Sequence, residues 1–197
     1  MAHLSGKSVA ILVTEGFEQV EMTRPREALE QAGAKTTLIA PKGGDVLAFK
    51  HHDKGDKFKV DLELAKANAT EFDAVLLPGG VINADALRIE KKAQLFVQEM
   101  DRTGKPIFVI CHGAWLLISA GLVKGHTITS WPTLQDDLRN AGADWVDKEC
   151  VHDRNWVSSR KPDDLPAFNR EILKALEESR PGKGARAENR DSIEVRS

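Results

Sequence analysis

With 197 residues, 41% of them hydrophobic and 29% charged, the chain holds enough apolar material for one α/β domain with a full core. Its formal net charge of -2 provides no electrostatic reason to expect nucleic acid or an anionic membrane as a partner. Met1 to Lys7 lacks the apolar stretch of a signal peptide, and two cysteines do not make a disulfide framework, so a reducing cytoplasm is the expected setting.

Ser8 to Thr14 is an apolar run of strand length and length only. It leads into Glu15-Gly16-Phe17-Glu18-Gln19-Val20-Glu21, which places two carboxylates just past a strand end. If this loop turns helical, Glu18 and Glu21 share a face at i, i+3, either as acids suited to a helix start or as site residues. Pro25 then begins a helix in its first turn or kinks a continuous one, and Gly33 stops it. Lys35 to Ala40 reads as the second strand. The polar stretch to Val60 suits a β-hairpin centred on Asp53-Lys54-Gly55-Asp56. His51-His52-Asp53 fits a polar turn better than a metal site, and neither C-x-x-C nor another Cys/His metal spacing occurs. Asp61 is placed to cap a short helix, Leu62 to Asn68, before the third core strand, Ala74 to Leu77.

That strand ends in Pro78-Gly79-Gly80, whose uncovered N–H groups suit an oxyanion hole or a simple tight turn. Asn83 to Arg88 and Lys91 to Arg102 read as helices, the second with Ala93, Phe96, Val97 and Met100 inward. Pro106 to Ile110 is a strand with no polar alternation, so it is expected to be buried on both faces. It breaks at Cys111-His112-Gly113 and continues as an apolar helix to Gly121. A cysteine in such a strand-turn-helix sits at the carboxyl end of a strand, where open α/β sheets bind ligands, and beside a helix N-terminus that favours thiolate. The position alone also suits an inert core thiol, but His112 supplies a neighbouring base and Gly113 removes a Cβ from a sharp turn, so the unit reads as a nucleophile elbow.

Farther along, Thr127 to Ser130 reads as a short strand and Leu134 to Asn140 as a helix. Trp145-Val146, Cys150-Val151-His152 and Trp156-Val157-Ser158 suggest antiparallel strands at a sheet edge, with Cys150 as a packing residue, and Pro162 to Leu176 the last helix. Residues 1–178 form the single expected domain, and 179–197, rich in Arg, Gly, Glu and Ser, the expected mobile charged tail. Strands alternating with helices give a mostly parallel sheet with helices on both faces and a small antiparallel edge. In that arrangement the Glu18/Glu21 loop, the Gly79-Gly80 loop and the Cys111 turn converge on one crevice.

Phe17-Glu18-x-Val20-Glu21, Leu77-Pro78-Gly79-Gly80, Ile110-Cys111-His112-Gly113, Asn140-Ala141-Gly142-Ala143, Trp156-Val157-Ser158-Ser159-Arg160 and Pro162-Asp163-Asp164-Leu165 together resemble the ThiJ/PfpI superfamily, in its intracellular protease and general stress protein branch. The resemblance covers Ser8 to Leu176 in order. It implies a class I glutamine amidotransferase-like fold, a flavodoxin-like three-layer sandwich, and a homo-oligomer, most simply a dimer. It also implies Cys111 as nucleophile, His112 as its partner, Glu21 as a protonated acid against the sulfur, and Gly80 with the His112 backbone as oxyanion hole. Asp85 would orient the histidine of a neighbouring subunit, although the loop before it is one residue longer than in the protease. Trp115 replaces a smaller residue and narrows the pocket. The implied chemistry is attack on small carbonyl compounds such as oxoaldehydes, on their protein or nucleotide adducts, or on peptide bonds, as glyoxalase, deglycase or peptidase, with no cofactor and no metal. An oxidisable Cys111 serving as redox sensor or holdase is the alternative. A glutaminase reading fits poorly, because the helix from Pro162 offers Glu171 but no histidine.

Overall fold

Ser8–Leu12 (β1) lies inside a seven-stranded sheet in the computed structural model, which describes residues 3–179. After it come β2 (Phe17–Glu18), α1 (Gln19–Gln31), β3 (Lys35–Ala40), the hairpin strands β4 (Asp45–Lys50) and β5 (Asp53–Lys59), β6 (Leu62–Glu63) and β7 (Ala74–Leu77). Two helices, α2 (Val81–Arg88) and α3 (Lys91–Arg102), lead to β8 (Ile107–Ile110) and α4 (Ala114–Ser119). The last part holds β9 (Thr127–Ile128), α5 (Gln135–Asn140), β10 (Asp144–Trp145), β11 (Cys150–Asp153), β12 (Trp156–Ser159) and α6 (Leu165–Glu178). The main sheet runs β11-β12-β8-β7-β1-β3-β6; β11 is antiparallel to its neighbour and the other pairings are parallel.

The pleat divides each strand between two cores. Ala10, Leu12, Val75, Leu77, Ile107 and Val109 face the layer of α2, α3 and α4 through Leu87, Phe96, Met100 and Leu117. Val9, Ile11, Ala74, Leu76, Phe108 and Ile110 face α1 and α6 through Met22, Leu29, Phe168 and Ile172. Burial on both faces explains why these strands lack polar alternation, and the three-layer sandwich hides both sides. Each fully buried large side chain, Phe108 and Phe168 among them, contributes about 1.5–3 kcal/mol relative to exposure.

Four local expectations are corrected. The hairpin turns at His51-His52, not at 53–56; His51 takes φ 58, and Asp53–Lys59 is strand. Gly55 serves close approach rather than turning, since a Cβ there would lie 3.0 Å from Ala48 O and overlap the Gln19 amide. Asp61 caps no helix: its carboxylate accepts from Leu38 N at 2.8 Å, and the chain enters β6 before a tight turn at Leu64–Lys66. Trp145 lies in β10, which pairs in parallel with β9 in a separate two-stranded sheet, and β12 is interior rather than at the edge, which accounts for its complete burial. Pro25 sits inside one continuous α1. No helix among the described residues is long and apolar enough to cross a membrane. The expected tail beyond residue 179 lies outside the described residues.

Candidate active site

The chain leaves β8 at Cys111, which adopts φ 61, a left-handed conformation that side chains rarely take. The turn Cys111–Gly113 then feeds α4. Backbone strain at a reactive side chain between strand and helix is the mark of a nucleophile elbow. Gly113 is required there because a Cβ would lie 2.5 Å from Leu77 O and 3.1 Å from Pro78 O. The elbow therefore packs directly on the end of β7.

Two other strand ends converge on the sulfur, as the sequence implies. From the first turn of α1, fully buried Glu21 accepts a hydrogen bond from Gly79 N at 2.8 Å. A Cβ at Gly79 would stand 2.5 Å from Glu21 Oε2 and 3.1 Å from Cys111 Sγ, so the bare glycine lets carboxyl and thiol share one niche. The backbone N–H groups of Gly80 and His112 favour the ionised form of the Cys111 sulfur. His112 places Nδ1 3.2 Å from Sγ.

The protonation states follow from burial. Removal from water raises Glu21 to about 8, with the Glu18 charge adding to the rise and the Gly79 N–H opposing it. The carboxyl therefore keeps its proton at neutral pH, and its Oε1 has no partner among the described residues. Burial lowers His112 to about 4, so its imidazole is neutral. Burial also pushes the Cys111 thiol up, and an ionised Glu21 would push it further, while the two N–H groups pull it down. The thiol that the turn is expected to favour as thiolate is thus a buried one. Those donors and the Glu21 proton limit the rise, because a six-residue helix dipole does not outweigh desolvation.

His112 is fixed by two indoles. Trp131 stacks on it with centroids 5.9 Å apart, and Trp115 meets it edge-on at 5.2 Å. Trp115 is held in turn by Asp137, which accepts from its Nε1 at 2.9 Å, and by the Arg88 guanidinium 5.3 Å over its ring. Trp131 escaped the sequence reading because it joins the elbow only through space, its N–H reaching Cys111 O at 3.3 Å. Glu18 is not a partner of the thiol; its carboxylate turns to His51 N at 2.9 Å. Asp85 is exposed on α2 and makes no hydrogen bond or ion pair among the described residues, so it does not reach His112 within the chain. Among the described residues there is no group of three or more His, Cys, Asp and Glu able to hold a metal ion.

The family model described as DJ-1/PfpI matches residues 7–175. YraA of Bacillus subtilis, named as a candidate cysteine protease, is 42% identical over 170 residues, covering 86% of this chain and 98% of its own. A deglycase of Pyrococcus abyssi is 44% identical over 168 residues, covering 85% and 98%. Among solved structures, a two-domain protein of Anabaena variabilis with a DJ-1/ThiJ/PfpI-like and a ferritin-like domain superposes with TM-score 0.82 at 33% identity. That match covers 92% of this chain and 52% of the other, so the chain spans about half of that protein's length.

Proposed function

Because the chain belongs to the DJ-1/PfpI family, we propose that it is a cysteine-nucleophile enzyme acting on small oxoaldehydes or on their early adducts with amines. One observation carries this reading: Cys111, at φ 61, lies against the Glu21 carboxyl beneath the N–H groups of Gly80 and His112. The deglycase name of a relative points the same way. Cys111 adds to the aldehyde carbon of an α-oxoaldehyde, the thiol proton passes to the carbonyl oxygen, and a hemithioacetal forms. In this reading the Gly80 and His112 N–H groups serve as donors to that oxygen as it gains charge. The hemithioacetal carbon then gives up its hydrogen as a proton, the neighbouring ketone carbon receives one and the hydroxyl proton moves to the ketone oxygen, so oxidation and reduction balance within the molecule. The product is a thioester of a 2-hydroxy acid, which water cleaves to the free acid and the restored thiol. Glu21, at about 8, is suited to move these protons near neutral pH.

Indole walls around His112 favour small substrates over an extended peptide, which places oxoaldehyde chemistry ahead of proteolysis. Cys111→Ala is expected to abolish methylglyoxal consumption and hydroxy acid formation; unchanged consumption would sink the assignment. A homo-oligomer is part of the proposal. Val81, Ile82 and Ile89 are 53%, 55% and 77% exposed on and beside α2, flanking Asp85, and we place the subunit contact there. A second reading, oxidation of Cys111 as a stress signal, is favoured by a protonated Glu21 able to donate to an oxidised sulfur. Peroxide treatment followed by mass spectrometry tests it: an unmodified Cys111 would exclude it.

A further inference from the structure

We propose that Asn83 is the positioning residue that aims the backbone donors of the site. Asn83 lies in the first turn of α2, fully buried, and the proposed chemistry assigns it no part. Its Nδ2 donates to Pro78 O at 3.1 Å and to Gly79 O at 2.9 Å. These are the carbonyl ends of two successive peptide planes. In a trans peptide the N–H points opposite to the carbonyl, so holding both carbonyls sets both amides on the far side. The Pro78–Gly79 plane sends Gly79 N–H to Glu21 Oε2, and the Gly79–Gly80 plane sends Gly80 N–H to the Cys111 sulfur. One carboxamide thus orients both the donor to the acid and the donor to the nucleophile.

The carboxamide is itself locked. Its Oδ1 accepts from Thr14 N at 2.7 Å, and Thr14 Oγ1 lies 3.3 Å from the same oxygen. Both donors and the acceptor are used, as a fully buried amide requires. Glu18 N adds a second donor to Gly79 O at 3.2 Å. The clamp joins the ends of β1 and β7 to α2, and a low local dielectric strengthens each bond in it.

The proposal rests on Cys111 being the nucleophile, and its test reads the thiol without a substrate. Asn83→Ser removes both carboxamide N–H donors and leaves only a hydroxyl too short to span the two carbonyls, without adding charge, and Asn83→Asp replaces the donor with an acceptor. Iodoacetamide alkylation of Cys111 at neutral pH is expected to slow roughly tenfold in each, the scale of one lost hydrogen bond to a charged group. Turnover of methylglyoxal should fall through kcat with KM unchanged. Met100→Ala, which destabilises the core on the face of the sheet away from Cys111, should lose stability and keep the wild-type alkylation rate. Folded Asn83 variants with wild-type alkylation would overturn the clamp. If neither variant folds, the wild-type Gly80 amide decides by NMR: it should exchange slowly and shift as the thiol titrates, and fast exchange like that of an exposed loop amide would overturn the proposal. Rapid alkylation without oxoaldehyde turnover in the wild type would refute the substrate and leave the clamp standing.

Discussion

Glu21 and His112 both face the Cys111 sulfur and oppose each other in their effect on pH stability. Glu21 is raised to about 8 from an ordinary 4.5, so between these values the folded state holds a proton that the unfolded chain releases. Its contribution is complete below about 4.5 and is lost as pH rises to about 8. His112 is lowered to about 4 from 6.5, so between these values the unfolded chain binds the extra proton, and stability rises with pH. Each group contributes a slope of up to about 1.4 kcal/mol per pH unit, less for His112, which is incompletely buried. The two oppose each other between about 4.5 and 6.5, and the Glu21 loss alone remains up to about 8. Urea denaturation across this range should show Glu21→Gln removing the decline and His112→Gln extending it to lower pH. Parallel profiles in the three proteins would mean that neither group is perturbed as described.

At the scale of elements, the site is an agreement among three strand ends, and the Gly79-Gly80 turn is its tightest joint. Gly80 has φ 88, and a Cβ there would overlap Gly16 O and stand 2.7 Å from Glu18 N and 2.9 Å from Phe17 Cα, all backbone atoms that have no rotamer to yield. Gly80→Ala is expected to cost about 2 kcal/mol or more, the strain adding to the overpacking. Gly104→Ala meets nothing within 4 Å at φ 69 and should cost about 1–2 kcal/mol from conformation alone. Equal urea midpoints for the two variants would remove the claim that β2 and the Gly79-Gly80 turn are pressed together. The elbow and the paired glycines were legible because strand, glycine and helix follow one another within a few residues. Asn83 was not: as sequence it is a polar residue at a helix start, and nothing nearby in the chain announces that it faces Pro78, Gly79 and Thr14.

For the whole molecule, the apolar exposure of α2 next to Asp85 is a surface that assembly would cover. Ile89, 77% exposed, is the position where a charge should disrupt a subunit contact without touching the core. Light scattering should show Ile89→Asp reducing the mass of an oligomer to that of one chain, and a monomeric wild type would remove Asp85 from the site. The sequence by itself determined the layered α/β architecture, because unbroken apolar strands need cover on both faces and the spaced glycines leave few places for helices to end. It also marked Cys111, Glu21 and Gly80 through local pattern and resemblance. Tertiary structure alone decided where the hairpin turns, how β10 and β12 pair, that Trp131 stacks on His112, and that the Cys111 thiol is buried rather than exposed. Those outcomes depend on which surfaces meet across the sheet and on how much water they exclude, and neither quantity is a property of any short stretch of chain.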